Sequence, residues 1–76
     1  MRSVSVDSSV ILSIGYEAKR QLLKVRFRNG RVYFYLAVPP ESYEELMAAP
    51  SVGKFFNEEI KPNFVAVRQR IVRRRR

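Results

Sequence analysis

Leu23-Lys24-Val25-Arg26-Phe27-Arg28-Asn29-Gly30-Arg31-Val32-Tyr33-Phe34-Tyr35-Leu36 decides how this chain folds. Asn29-Gly30 is the strongest short-range signal for a two-residue hairpin, because both central positions of that turn need a positive φ. A two-residue turn sets the register: Arg28 faces Arg31, Phe27 faces Val32, Arg26 faces Tyr33, Val25 faces Phe34, Lys24 faces Tyr35 and Leu23 faces Leu36. Side chains alternate along a strand, so the hairpin sorts into two faces. Leu23, Val25, Phe27, Val32, Phe34 and Leu36 form an apolar core face. Lys24, Arg26, Arg28, Arg31, Tyr33 and Tyr35 form an outward face of four cations and two phenol rings, with no acid among them.

Such a face suits single-stranded nucleic acid. Bases stack on aromatic rings for roughly 1–3 kcal/mol each while lysine and arginine follow the phosphates. Like charges directly opposed across a strand pair are destabilising, so Arg28 across from Arg31 suggests an anionic partner. The competing reading is an ordinary solvent-facing sheet, on which arginine and tyrosine bury part of their stems.

Working outward, Val10 to Glu17 alternates like a strand, and Gly15 inside it suggests a bulge or a close backbone approach. Ala18 to Arg20 is polar enough to turn into the strand Gln21 to Arg28, and Arg31 to Ala37 completes a three-stranded meander. Residues 1–9 are a Ser-rich lead-in, with Val4 and Val6 placed to touch the sheet. Val38-Pro39-Pro40 ends the sheet, because proline cannot donate to a ladder.

A helix follows, entered through Pro39-Pro40 or through a capping box from Ser42 to Glu45. Tyr43, Leu46 and Met47 give it an inward stripe. Pro50 stops it, and Ser51 caps a second helix to about Lys61, with Val52, Phe55, Phe56 and Ile60 inward. A short further strand is expected at 64–68. The expected fold class is therefore α+β: a small antiparallel sheet of three strands, with room for a fourth, packed by two short helices on one face. The core unit is residues 10–61, followed by a basic, flexible tail at 62–76.

Composition narrows the function. The chain has 76 residues, enough for one domain, and 46% of them are hydrophobic. It has no run of about 18 apolar residues to span a membrane, and no signal peptide pattern. Disulfides, thiol chemistry and the usual Cys/His zinc sites are excluded by the absence of cysteine and histidine. The same absence removes the commonest general base and the thiol nucleophile. Ser51-Val52-Gly53-Lys54 matches a Ser-x-x-Lys string, but a capped helix with a surface lysine explains it better. Glu58 and Glu59 are adjacent and point to different helix faces, so they make no carboxylate pair.

The net charge is +8, and its distribution is uneven. Residues 62–76 hold Arg68, Arg70, Arg73, Arg74, Arg75 and Arg76 and no acid, whereas residues 1–61 hold nine basic and seven acidic side chains. A terminal arginine run can serve simply as a solvated, solubilising tail, but guanidinium groups bind phosphate bidentately, so the tail also suits an anionic polymer. It lacks the apolar face that would anchor it on a membrane. The two helices do not make a DNA-reading pair, because they carry five glutamates against two lysines.

The order of residues Ser8-Ser9, Ile14-Gly15-Tyr16, Leu23-x-Val25-x-Phe27, Gly30-x-Val32-Tyr33-Phe34-Tyr35, Val38-Pro39, Tyr43, Leu46, Ala49-Pro50-Ser51-x-Gly53-x-Phe55-Phe56-Asn57 and Ile60 resembles the KTSC family. That family is named for a domain near the C-terminus of some lysyl-tRNA synthetases, and it also occurs alone in small bacterial proteins. The resemblance covers about residues 4–61 and implies an association with RNA through the synthetase connection. The family's Tyr-x-Tyr falls on Tyr33 and Tyr35, and the arginine tail lies mostly outside the match.

These readings combine into a non-enzymatic, cytoplasmic, monomeric module that binds single-stranded or structured RNA such as tRNA or rRNA, without cofactor, metal, membrane or small-molecule substrate. Lys24, Arg26, Arg28, Arg31, Arg68, Arg70, Arg73, Arg74, Arg75 and Arg76 would contact phosphates, and Tyr33 and Tyr35 would stack bases. The alternative is a protein-interaction adaptor with no nucleic-acid role.

Overall fold

The computed structural model describes residues 2–69. Five strands form one antiparallel sheet in sequence order: β1 (Ser3–Ser5), β2 (Ile11–Glu17), β3 (Leu22–Phe27), β4 (Val32–Tyr35) and β5 (Ala66–Arg68). The helices α1 (Pro40–Ala48) and α2 (Val52–Phe55), with a π-helical turn at Phe56–Ile60, form the connection from β4 to β5. The α+β class matches the expectation, with more strands than the three or four foreseen. The Ser-rich lead-in supplies β1, which pairs Val4 with Ile14, and the strand expected at 64–68 is β5.

The central hairpin carries the main correction. Leu23 pairs with Tyr35, Lys24 with Phe34, Val25 with Tyr33 and Arg26 with Val32. That is one residue off the register of a two-residue turn. Arg28, Asn29 and Gly30 form a three-residue loop, closed by the Gly30 amide on the Phe27 carbonyl (3.0 Å) and the Phe27 amide on the Arg31 carbonyl (2.8 Å). Within this loop only Gly30 takes a positive φ, +93°. Asn29 accepts the Arg31 amide on Oδ1 at 2.9 Å. This is the turn-plus-bulge hairpin, in which glycine occupies the left-handed last position.

Because side chains alternate strictly, the slip turns over all of β4 relative to β3. Tyr33 and Tyr35 join Leu23, Val25 and Phe27 on the helix side. Val32 and Phe34 join Lys24 and Arg26 on the open side.

A second irregularity lies in β2. Ile11 pairs with Phe27 and Ser13 with Arg26, so Leu12 is an extra residue. The expected irregularity at Gly15 is not there; Gly15 sits in regular register between Ser3 and Lys24. The bulge explains why Ile11 and Ile14, three apart, are both fully buried while Leu12 is exposed.

The core lies between sheet and helices: Ile11, Ile14, Leu23, Val25, Tyr35, Val38, Leu46, Phe56 and Ile60. Each fully buried aliphatic side chain there contributes about 1.5–3 kcal/mol by leaving water. Tyr16 stacks on Tyr43 of α1 at 4.6 Å between ring centres and donates its hydroxyl to the Val38 carbonyl at 2.6 Å. Helix α1 starts at the proline pair, with Pro39 as N-cap and no side-chain cap, so the Ser42–Glu45 capping box is unused. Ser51 does cap α2, accepting the Lys54 amide at 3.3 Å. The helical run then widens so that the Lys61 amide reaches the Phe56 carbonyl, and both Phe56 and Ile60 turn inward.

Candidate nucleic-acid interface

The open sheet face is built from every second residue. Ser13 and Gly15 of β2, Lys24 and Arg26 of β3, and Val32 and Phe34 of β4 share it. At the hairpin end of this face lies a groove of about 640 Å³, lined by Lys24, Arg26, Gly30, Arg31, Val32, Arg68 and Gln69. Arg31 and Arg68 come from the other side of the register, opposite Phe27 and Tyr33, and meet Lys24 and Arg26 around the groove.

Four cations thus surround a groove with no carboxylate in its lining. Among the described residues one ion pair forms, Arg20 with Glu17 at 3.6 Å, and it involves none of the four. The glutamates of the helices, Glu41, Glu44, Glu45, Glu58 and Glu59, lie on elements packed against the opposite side of the sheet.

The other residues singled out in the sequence are placed differently. Arg28 is in the loop and does not face Arg31. Its Nε donates to the Ser8 carbonyl at 2.7 Å and its amide to the Val10 carbonyl at 2.9 Å, so it ties the hairpin to the β1–β2 connection.

Tyr33 and Tyr35 do not lie on the basic face. Tyr35 is 4% exposed and meets Phe56 edge-on at 5.3 Å. Tyr33 meets Phe27 edge-on at 5.7 Å. Tyr35 is therefore closed to bases on the open face. Burial, and then the neighbouring Tyr33 phenol, push its pKa above the ordinary tyrosine value. The aromatic ring that the open face does carry is Phe34, directly opposite Lys24. The sequence reading placed Phe34 inside, and the slip brought it out. Arg70, Arg73, Arg74, Arg75 and Arg76 lie outside the described residues.

Among the described residues, no three His, Cys, Asp or Glu side chains gather to hold a metal, and no helix is long and apolar enough to cross a membrane.

The sequence profile of the KTSC domain matches residues 7–64. The chain belongs to the KTSC family. A protein of Tsukamurella paurometabola is 47% identical to this KTSC chain over 62 residues, which cover 82% of this chain and 92% of that one. A lysine–tRNA ligase of Nostoc punctiforme is 47% identical over 58 residues, 76% of this chain and 10% of the ligase. The crystal structure of a KTSC domain protein from Yersinia pestis superposes with a TM-score of 0.84 at 39% identity, covering 90% of this chain and 96% of that one. The KTSC fold thus stands nearly alone in two of these relatives and as a small part of a much longer ligase in the third.

Proposed function

We propose that this KTSC domain is a non-catalytic RNA-binding module that lays its open sheet face on the phosphate backbone. The observation that carries the reading is the groove of Lys24, Arg26, Arg31 and Arg68, four cations with no carboxylate partner among the described residues. Unpaired cations converging on a concave surface create a field that attracts a polyanion and lets it release counterions on binding. Phe34 beside Lys24 adds one ring on which a base can rest. Lysine–tRNA ligases carrying a similar segment support RNA as the polyanion. The arginine-rich segment beyond Gln69 adds sequence-independent attraction.

The test is fluorescence anisotropy of a labelled single-stranded RNA across a salt series. Four phosphate contacts on a single strand give a log–log slope of about −3 from the groove alone. Lys24→Glu and Arg26→Glu should each weaken binding about tenfold or more, because each replaces an attraction with a repulsion. Unchanged affinity in both variants would remove the open face from the account.

A protein-adaptor reading has one observation in its favour. Val65 beside edge strand β5 and Val67 on it are 69% and 50% exposed, and such an edge can accept another strand. That mode would bind with little dependence on salt.

A further inference from the structure

The slip that took the tyrosines off the open face gathered them around a second cavity on the helix side. It has a volume of about 490 Å³ and lies where the helices leave β4 and β5 partly uncovered. Its apolar wall includes Phe27, Tyr33, Phe56 and Phe64. Phe27 meets Tyr33 at 83° and Phe56 at 67°, so the rings already brace one another. Tyr35 also lines the cavity. No buried side-chain polar atom lacks a partner among the described residues, and the Tyr35 hydroxyl makes no hydrogen bond there, so that hydroxyl is open to the cavity.

Amides and cations line the cavity beside the rings. Asn57 is exposed and uses neither end of its amide in a side-chain hydrogen bond among the described residues. Asn29 spends its oxygen on the Arg31 amide, and its NH2 makes no hydrogen bond among the described residues. Two exposed cations, Arg31 and Lys61, complete the lining, and no acid does. A cavity of this size, lined by aromatic rings, amides and cations with no acid among them, fits a planar ligand that carries an anion. An amide such as Asn57 offers a donor and an acceptor side by side, the pairing that a base edge accepts.

Arg31 lines both this cavity and the open-face groove. A phosphate held by Arg31 therefore stands between the two. We propose that the cavity takes one nucleotide of the bound strand: the base goes among Phe27, Tyr33, Phe56 and Phe64, its edge meets Asn57, and its phosphate meets Arg31 and Lys61. This inference rests on the RNA-binding reading for the strand itself, but the cavity can be probed without RNA.

The experiment is amide chemical-shift mapping of the labelled full chain with nucleoside 5′-monophosphates, the matching nucleosides, inorganic phosphate and a short single-stranded RNA. Mononucleotides should shift Tyr33, Asn57, Lys61 and Phe64 in a saturable way, with Kd on the order of 0.1–1 mM, as suits a ligand of this size. Nucleosides should bind more weakly, and phosphate alone should leave Phe64 still.

Asn57→Ala and Lys61→Ala remove exposed side chains, so the fold survives. Each should weaken mononucleotide binding about fivefold, the worth of one hydrogen bond or one exposed ion pair. RNA should shift both the cavity and Lys24 and Arg26.

If RNA shifts only Lys24, Arg26 and Val32, and mononucleotides at about 10 mM, some tenfold above the expected Kd, leave the cavity unmoved, the cavity inference is overturned and the groove stands. Equal shifts from phosphate alone also overturn it. Mononucleotide binding in the cavity that RNA neither reproduces nor competes with overturns the strand as the ligand's source. Silence from both ligands overturns the RNA-binding reading together with this one.

Discussion

Gly30 settles the face on which every β4 side chain lies. Asn-Gly fits two hairpins: a two-residue turn with both residues at positive φ, and a three-residue loop in which glycine alone is left-handed. The chain uses the second, and Asn29 stays at negative φ with its side chain capping the loop. The all-apolar pairing favoured the first in the sequence, because tyrosine reads as a surface residue. Tyrosine is amphipathic, however, and a buried ring gains from edge-on neighbours. Tyr35 with Phe56 and Tyr33 with Phe27 supply those contacts.

Tyr16 makes the same point with its hydroxyl, which donates to the carbonyl of fully buried Val38. Tyr16→Phe leaves that carbonyl without its partner and should cost about 1–3 kcal/mol in denaturant unfolding. The pKa of Tyr16 is raised by burial and then by Glu41 and Glu44, and that of Tyr35 by burial and then by Tyr33. A tyrosine whose folded pKa lies above its unfolded value holds its proton more tightly when folded. Its contribution is complete below the unfolded value of 10.0 and is lost as pH rises through the folded value. Stability of the native chain should therefore fall above about pH 10, and Tyr16→Phe should show a shallower alkaline decline. An identical decline in both proteins would sink the assignment.

The helices and the last strand were legible as elements because their signals are local. The proline pair opens α1, Ser51 caps α2, and the inward set of Val52, Phe55, Phe56 and Ile60 packs where its spacing placed it. Strand β2 was legible in extent but not in its interior. Leu12 and Ile11 are equally apolar, so no sequence signal says which one stands out of register. With Leu12 removed, Ile11, Ser13 and Ile14 would alternate inward, outward and inward opposite Phe27, Arg26 and Val25, a regular ladder. Deletion of Leu12 should therefore keep the native amide spectrum at a cost of about 1–2 kcal/mol, within the common range for single changes. Deletion of Gly15 shifts one flank of β2 by a residue and turns its side chains over. That variant should not fold, as judged by loss of amide dispersion. Equal behaviour of the two deletions would show that the bulge plays no part in fixing the register.

At the scale of the whole molecule, acids and cations cluster in different places. Five glutamates ride on the helical layer, and Lys24, Arg26, Arg31 and Arg68 ring the groove at the hairpin end. The division of the basic residues between a sheet face and a C-terminal segment is plain in the sequence, but that Arg28 leaves the face and Arg68 joins the groove is not, because both depend on the register and the pairing of β5. On the proposed RNA-binding function, the two parts would act differently on a polyanion. Arginines spaced along a chain contribute attraction that sums with their number, whereas a groove holds its cations in fixed relation to one another and to Phe34. Removing residues 70–76 takes away Arg70, Arg73, Arg74, Arg75 and Arg76. The log–log salt slope for single-stranded RNA should then become shallower by up to about 3.5, five contacts at about 0.7 each. Affinity at moderate salt should drop by a similar factor for every RNA sequence, as phosphate-only contacts require. The residual binding should still fall about tenfold on Arg26→Glu, and amide shifts should stay centred on Lys24, Arg26 and Phe34. If the shortened chain binds no RNA, and Arg26→Glu in the full chain has no effect, then the arginine-rich segment alone holds the polyanion and the groove has another use.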